Sequence, residues 1–365
     1  MICALFPVGG WGEDSGDFLE NHFSGVPAAG VHLAEDWGPL EKSLVPSQCG
    51  ACHPQQFADW SGSRHSLAMS PGVLGQLLDK PEGFDVCNRC HAPLLEQRPF
   101  AGGVASPETF REDLRAVGLA CPSCHVRDGE VHGPTAGAPT ESFPHGGYTQ
   151  HEAFEGTAFC GTCHQFPEDG RRVAGVLLED TVNEWMASPW GQREEPCQSC
   201  HMPDRRHLWR GIHDPEFTEQ GLDIALVSSG RRGAVYSVTS IGVGHRFPTY
   251  VTPRVTLTIQ AVDAAGEIVA RNHTTLQRRV DIRLESQTFD TRLHPGETAV
   301  AELAWSRSDR AVRVEAKLLV EPDEFYRRFY EAYRTDDPRV AALISEARQE
   351  TATNTYIIGA RSLDL

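Results

Sequence analysis

The sequence has no run of eighteen apolar residues, so it predicts no helix that crosses a lipid bilayer. Basic residues are also scarce: 33 Lys and Arg stand against 50 Asp and Glu, which gives a formal net charge of −17. A chain this acidic is not expected to bind nucleic acid or anionic membrane surfaces. The charge instead favours protein partners whose docking surfaces are basic.

Long periodic segments are missing from the first half of the chain, up to about residue 225, which is rich in Gly and Pro. Only short helices are predicted there. One begins at Pro54 and includes Phe57 and Trp60, and another covers residues 181–187. Because so little regular structure buries too little apolar surface by itself, this half must obtain its core from another source.

The first half is rich in cysteine. Ten of the 11 cysteines form five Cys-x-x-Cys pairs that begin at intervals of 34 to 39 residues, and a histidine directly follows each pair. The five motifs are Cys49, Cys52 and His53; Cys87, Cys90 and His91; Cys121, Cys124 and His125; Cys160, Cys163 and His164; and Cys197, Cys200 and His201.

Cys-x-x-Cys-His is the attachment motif of c-type haem. The two thiols bond to the haem vinyl groups, and the histidine becomes an axial ligand of the iron. Zinc sites do not need a histidine after each cysteine pair, a thioredoxin-like pair would occur once, and disulfides of this spacing would be strained. The sequence therefore predicts five covalently attached haem c groups, whose porphyrins supply the missing apolar core.

A haem that only carries electrons usually has a second axial ligand, and histidine is the expected one. Eleven histidines lie outside the motifs. Six of them have a favourable context near the motifs or at the start of the second half, and they are predicted to be distal ligands: His65, His132, His145, His207, His213 and His245. We assign His22 and His32 to a featureless leader and His273 and His294 to the surface, and His151 stays open.

Methionine is a weaker alternative for the distal position, at Met69 or Met186. Four arginines lie next to candidate ligands and either pair with haem propionates or lie at the surface as solvated charges: Arg64, Arg127, Arg205 and Arg206.

The second half of the chain has the two-residue period of strands. Val255, Leu257 and Ile259 alternate with polar residues, and further strands are predicted over residues 268–270, 280–284, 298–305, 312–318 and 355–358. A helix near Pro322 and a second over residues 340–347 are also predicted. Regularly spaced short strands indicate a β-sandwich.

The predicted fold class is therefore α+β, in three parts. Residues 1–44 form a leader segment. Residues 45–225 form a haem-packed, mostly helical or irregular pentahaem domain. Residues 226–365 form a β-sandwich-like domain with a C-terminal helix.

Several segments resemble a family of multihaem c-type cytochromes related to the tetrahaem electron carrier of hydroxylamine oxidation. The segments are Gln48-Cys-Gly-Ala-Cys-His-Pro with Trp60-x-x-Ser63-x-His65, Cys121-Pro-Ser-Cys-His-Val-Arg, Phe159-Cys-Gly-Thr-Cys-His-Gln-Phe, Cys197-Gln-Ser-Cys-His-Met-Pro and Gly244-His-Arg-Phe-Pro-Thr. The resemblance covers most of residues 45–255. It implies close parallel and perpendicular haem pairs, mostly bis-histidine ligation and a role as an electron conduit.

The chain departs from that family in two ways. It has five motifs rather than four. In addition, the segment that begins Glu184-Trp-Met-Ala-Ser and ends at Trp190 is similar to the Trp-x-x-Ser-x-His element but carries no histidine. The departure leaves open whether one haem lacks a distal ligand from the protein.

The main functional prediction is an electron-transfer protein that works with redox partner proteins in the periplasm or outside the cell. One alternative is a reductase of nitrite, hydroxylamine or a sulfur oxyanion with one five-coordinate haem. The sequence has no Cys-x-x-Cys-Lys motif and three haem motifs fewer than the eight-haem hydroxylamine-oxidising enzymes, and both points weigh against this alternative. A third interpretation is a subunit of an extracellular cytochrome filament or a larger redox complex.

Export is expected because haem is attached to this motif outside the cytoplasm. Residues 1–8 are apolar but lack a basic region and a small-residue cleavage site, so the signal is expected to precede this sequence or to have been trimmed. Cys3, the cysteine that belongs to no motif, is either the remnant of a lipid-attachment site or an incidental thiol near a processed end.

Overall fold

The computed structural model of the chain has the predicted mixed α+β fold. It describes residues 13–23, 31, 33–81, 85–101, 104–105, 109–134 and 147–365. The chain forms two units: one contains the described residues up to Cys163 together with Pro196–Trp209, and the other contains His164–Glu195 and Arg210–Leu365. Cys3, His32 and His145 lie outside the described residues, so their predicted roles stay predictions.

Short helices account for most of the regular structure in the first half. The helices of the described residues are α1 (Glu13–Phe23), α2 (Pro46–Cys49), α3 (Pro54–Ser61), α4 (Pro71–Asp79), α5 (Asp85–His91), α6 (Cys121–His125), α7 (Thr157–His164), α8 (Thr181–Met186), α9 (Cys197–His201), α10 (Pro215–Gln220), α11 (Glu324–Ala332) and α12 (Pro338–Thr353). Proline occupies the first turn of α2, α3 and α4, where its missing N–H costs no hydrogen bond. The predicted helices at Pro54 and at residues 181–187 are therefore present.

Among the described residues of the first unit, protein side chains supply only small apolar clusters. Two such clusters contain fully buried side chains: one is formed by Val31, Leu44, Leu94 and Leu114, and the other by Met69, Leu77 and Ala92. This agrees with the expectation that helices and strands alone do not build the core of this part of the chain.

Strands account for most of the second half. The strands of the described residues are β1 (Phe100–Ala101), β2 (Val104–Ala105), β3 (Val126–Arg127), β4 (Glu130–Gly133), β5 (Thr149–Gln150), β6 (Arg172–Val173), β7 (Val176–Leu177), β8 (Leu222–Ser228), β9 (Gly233–Ser240), β10 (Arg254–Val262), β11 (Ile268–Leu276), β12 (Arg278–Val280), β13 (Gln287–Asp290), β14 (Thr298–Ala304), β15 (Arg313–Glu321) and β16 (Tyr356–Asp364).

Two antiparallel sheets form the predicted sandwich in the second unit. Their strand orders are β11-β10-β15-β16 and β14-β9-β8. Strands β10 and β11 pack against β14, and β16 packs against β8. Between the sheets lie side chains with no exposed surface, among them Leu257, Ile259, Tyr236 and Leu318. The buried hydroxyl of Tyr236 has a hydrogen-bond partner, because Oη donates to Gly359 O at 2.6 Å.

Two C-terminal helices follow the sandwich strands, as the sequence predicts. Asp323 precedes α11, and Phe325 and Tyr330 are the buried aromatic residues of this helix. Helix α12 packs on α11 and is longer than the predicted 340–347 segment, with Val340 and Ile344 buried. The predicted strand at residues 355–358 extends to Asp364 as β16.

The predicted strand at residues 280–284 is wrong. The extended segment is β12, which ends at Val280, and a turn follows. The Asp281 carboxylate accepts the main-chain N–H groups of Arg283 and Ser286, which closes the turn and ends the strand. Strands β8 and β9 form a hairpin that was not predicted from the sequence.

Candidate haem centres

Each Cys-x-x-Cys-His motif lies in a helical turn. Helices α5, α6, α7 and α9 contain the second to fifth motifs and end at their histidines. In the first motif, Cys49 ends α2 and its carbonyl accepts the N–H of His53 at 2.9 Å, which continues the turn. Residues three and four positions apart lie on the same face of a helix, so both sulfurs and the imidazole of each motif lie on one side.

Side-chain hydrogen bonds fix the imidazoles of the second and third motifs. His91 Nδ1 lies 2.5 Å from Ala68 O, and His125 Nδ1 lies 2.8 Å from His132 O. A carbonyl oxygen only accepts, so Nδ1 carries the proton in both rings and Nε2 carries the lone pair. This is the arrangement that orients a histidine towards a metal through Nε2.

Burial keeps these two imidazoles neutral. It lowers the pKa of His91 below its usual 6.5, and it lowers the pKa of His125 to about 4. Because a charged imidazole has no lone pair to give, the depressed pKa suits a metal ligand at neutral pH.

The cysteines of different motifs lie close together in the first unit. All ten motif cysteines are described, and none forms a disulfide. Three contacts join different motifs: Cys49 with Cys121, Cys160 with Cys197, and Cys90 Sγ with Cys163 O at 3.8 Å. The cysteines of the first and third, the fourth and fifth, and the second and fourth motifs are therefore neighbours.

Within the described part of the chain, no three His, Cys, Asp or Glu side chains converge to hold a metal ion by themselves. A haem iron takes only one or two ligands from the protein. Helical turns, oriented Nε2 atoms and cysteines outside disulfides are the features that covalent haem c requires, so the motif residues fit this group.

Two predicted distal ligands, His65 and His207, lie in the first unit near the same tryptophan. The centroid of the Trp209 ring lies 4.5 Å from that of His65 and 5.0 Å from that of His207. Leu119 N donates to His65 O at 3.0 Å, which anchors the turn after α3. Arg205 O accepts from His207 Nδ1 at 3.1 Å, so Nε2 of His207 is the nitrogen with the lone pair.

His132 also lies beside the third motif, on β4. Its main-chain carbonyl holds His125, as described above. Its Nδ1 is buried and has no hydrogen-bond partner among the described residues. Since buried polar atoms usually have a partner, this agrees with a contact to a group outside the protein chain. Burial lowers the pKa of His132.

His22 is a buried histidine whose position was not predicted from the sequence. It lies on α1 with 3% of its surface exposed, and its Nε2 donates to Cys124 O at 2.7 Å. Burial lowers its pKa to about 2. The ring stacks on Phe18, which also stacks on His151 with centroids 3.9 Å apart. The described part of the assigned leader therefore places a neutral histidine against Cys124 of the third motif.

The other predicted distal ligands, His213 and His245, lie in the second unit. His213 Nε2 is 3.1 Å from Asp323 Oδ2, so the nitrogen that would bind iron is already paired with a carboxylate. His245 Nδ1 donates to Arg246 O at 2.9 Å, and burial lowers the pKa of this ring. The ring of His245 thus has the orientation found at His91 and His125, whereas that of His213 does not. His273 and His294 are exposed, as expected.

Two of the four arginines next to candidate ligands make strong bonds within the protein. Arg127 is buried and donates to the carbonyls of Pro122 and Ser123, and burial lowers its pKa to about 10. Arg206 forms a two-fold hydrogen bond with the buried Asp59, at 2.7 Å to each oxygen. Arg127 is therefore not a solvated surface charge, whereas the side chain of Arg206 is 43% exposed beside its carboxylate partner.

The segment that lacks a histidine borders a polar cleft of about 290 Å³ in the second unit. Glu184 and Asp290 line it together with Arg246 and Arg292. Arg292 pairs with Glu184 at 2.9 Å and with Asp290 at 2.8 Å. With Asp180, which also lines it, the cleft has three carboxylates against two arginines and therefore no excess positive charge for a substrate anion.

No protein-family model matches the sequence, and no curated protein matches it. Among solved structures, a penta-haem cytochrome c552 from Thermochromatium tepidum matches with a TM-score of 0.64 and 18% sequence identity, over 92% of this chain and 100% of that one. The chain has the fold of a penta-haem cytochrome. A glycosyl hydrolase family 2 member from Bacteroides cellulosilyticus also matches, but over 28% of the chain with a TM-score of 0.15, which supports no inference.

No helix of the described residues has the length and apolar character needed to cross a membrane.

Proposed function

We propose that this protein is a pentahaem c-type cytochrome that carries electrons between redox partners outside the cytoplasm. Bound haem supplies a one-electron Fe(III)/Fe(II) couple. The chain contributes thioether-forming cysteines, axial imidazoles oriented through Nε2 and the burial that tunes each site. The penta-haem fold supports five sites, one for each motif.

The proximity of cysteines from different motifs carries this proposal. Cys49 lies beside Cys121, and Cys160 beside Cys197, within one unit. Attachment points this close favour porphyrins in contact with one another, which is what a conduit needs and what isolated catalytic centres do not. The fourth motif has neighbours from both the second and the fifth, so the proposed path branches there.

The relation to the tetrahaem electron carrier of hydroxylamine oxidation is part of the same proposal. It rests on the motif segments quoted above and on no finding beyond them. Bis-histidine ligation is proposed with His65, His132, His207 and His245 as distal ligands that the structure describes, and with His145. His213 stays a weaker candidate because Asp323 pairs with its Nε2.

Export to the periplasm or beyond is proposed because haem attachment to this motif takes place there. Basic docking surfaces on the partners are proposed from the charge of −17. Expression with and without a secretion signal, followed by haem staining of each cell fraction, tests the location. Haem attached to a chain kept in the cytoplasm would contradict it.

The deciding experiment is haem quantification by intact mass and absorbance, with electron paramagnetic resonance of the oxidised protein. Five haems per chain, all low-spin, are expected. Fewer than five would overturn the pentahaem proposal.

A high-spin signal near one haem in five that shifts on adding nitrite would replace the conduit with the reductase alternative. The segment from Glu184 to Trp190, which has no histidine, is the observation that favours that alternative. Concentration-dependent growth of particles in light scattering would support the filament interpretation.

A further inference from the structure

A tyrosine holds the histidine of the fourth motif. Tyr250 Oη lies 2.6 Å from His164 Nδ1, and the two rings stack with centroids 6.3 Å apart and an interplanar angle of 23°. His91 and His125 differ, because main-chain carbonyls hold their Nδ1 atoms. The fourth motif is therefore distinguished by a side-chain hydroxyl at the position where the other two have a peptide oxygen.

The backbone of Tyr250 is in a conformation that bulky residues rarely adopt. Its φ of 64° lies in the left-handed region, which is unfavourable for a residue with a Cβ. Residues held in this region persist where the surrounding structure fixes them, and they are concentrated at functional sites. The strained backbone and the short hydrogen bond together indicate that this position is occupied by tyrosine for its hydroxyl.

We propose that Tyr250 lowers the reduction potential of the fourth haem by accepting a hydrogen bond from His164. The inference rests on the proposed function, since it requires haem at this motif. With Nε2 bound to iron, a neutral imidazole keeps its proton on Nδ1, so His164 donates and the phenol oxygen accepts. An acceptor at Nδ1 makes the imidazole a more basic ligand, which stabilises ferric over ferrous iron.

The test is a redox titration of the full holoprotein with Tyr250→Phe, which keeps the ring and removes the hydroxyl. One of the five midpoint potentials is expected to rise, and the other four to stay in place. A tenfold change in the reduction equilibrium would appear as a rise of about 59 mV for a one-electron couple.

Two further variants distinguish an effect of Tyr250 on the reduction potential from a purely structural role. Tyr356→Phe is the matched control, because Tyr356 Oη bonds to Ile212 O and Thr218 in the same unit, and it should leave all five potentials unchanged. Tyr250→Gly removes the hydroxyl and also relieves the left-handed backbone, so it should raise the same potential. A structural role alone would lower the melting temperature and leave the potentials unchanged.

The outcomes distinguish this inference from the proposed function. Variants with five covalent haems and unchanged potentials would overturn the role of Tyr250 and leave the cytochrome intact. A wild-type chain without covalent haem would overturn both.

Discussion

At the scale of single residues, Asp59 fixes the segment that carries His207. Its carboxylate accepts two hydrogen bonds from Arg206, one from His207 N at 3.1 Å and one from Gln55 Nε2 at 3.0 Å. The bonds from Arg206 are the main reason that the pKa of Asp59 lies below its usual 3.8. The side chain of Asp59 is 4% exposed, so these bonds replace its hydration.

The substitution Asp59→Asn should lower the melting temperature at pH 7 by several degrees. Because the folded pKa of Asp59 is depressed, the charged pair stabilises the protein above about pH 4 and this contribution disappears as the pH falls through the folded pKa. The difference in melting temperature between the wild type and the variant should therefore be largest at pH 7 and smaller at pH 3. Circular dichroism melts at the two pH values measure it.

Glu155→Gln is the matched control for that prediction. Glu155 pairs with Arg205 at 3.0 Å in an exposed bridge of the same region, and exposed bridges contribute little. Its melting temperature should equal that of the wild type at both pH values. If the loss caused by Asp59→Asn stays constant with pH, the charge of Asp59 is not its cause.

Residue patterns predicted the attachment sites but not every histidine around them. The five motifs could be identified because their chemistry requires a fixed local spacing, which the helical turns then reproduce. His22 carried no such signal: its burial depends on α1 packing against residues about a hundred positions later, at Cys124. The partner of His213 was equally hidden from the sequence, since the Asp323 carboxylate lies about as far along the chain.

At the scale of elements, the turn before α6 depends on a glycine. Gly118 has a φ of +73°, and a Cβ there would lie 2.8 Å from His65 O, a main-chain atom that cannot rotate away. Gly118→Ala should destabilise the protein by about 2 kcal/mol or more, since it adds the left-handed backbone cost to a clash. Thermal unfolding measures the change.

Gly175→Ala isolates the backbone contribution. Gly175 has a φ of +81°, but no atom lies within 4 Å of the added Cβ, so only about 1 kcal/mol is expected. Equal losses in the two variants would show that contact with the turn at His65 has no energetic consequence.

The sandwich core makes a second prediction at this scale. Leu257 on β10 has no exposed surface, and truncating it to Ala should cost about 2–5 kcal/mol through lost burial and a cavity. Val300 on β14 is 43% exposed, and its truncation should change the stability by less than about 0.5 kcal/mol. Denaturant unfolding followed by tryptophan fluorescence compares the two variants, and similar losses would contradict the placement of Leu257 in the core.

Strand signals were reliable where one face alone is buried. In β10, the alternation of Val255, Leu257 and Ile259 with polar residues matches the inward face of the sheet. Strand β9 has the same alternation in Ala234, Tyr236 and Val238, but no strand was predicted there. The error at residues 280–284 arose because apolar residues can also flank a turn that an aspartate closes.

At the scale of the whole molecule, the different periodicity of the two halves indicated both the α+β class and the need for a non-protein core. The first half had too few periodic segments, and its apolar clusters are correspondingly small. The number of Cys-x-x-Cys-His motifs could be counted in the sequence. Their neighbours could not, because contacts such as that between Cys49 and Cys121 depend on tertiary packing.

The charge of −17 should control how fast the haem-loaded protein meets a basic partner. Opposite charges steer association, and salt shortens their range from roughly 30 Å at 0.01 M to about 3 Å at 1 M. Stopped-flow reduction of a small basic cytochrome should therefore slow by about tenfold or more between these ionic strengths.

An acidic electron acceptor serves as the control. Salt screens the repulsion between the two acidic surfaces, so the reduction of this acceptor should become faster as salt is added. A basic partner whose reduction rate does not change with salt would show that docking depends on apolar contacts rather than on charge. That result would overturn the proposed basic docking surfaces. It would leave the proposal of electron transfer intact, because the experiment varies only the surface charge of the acceptor.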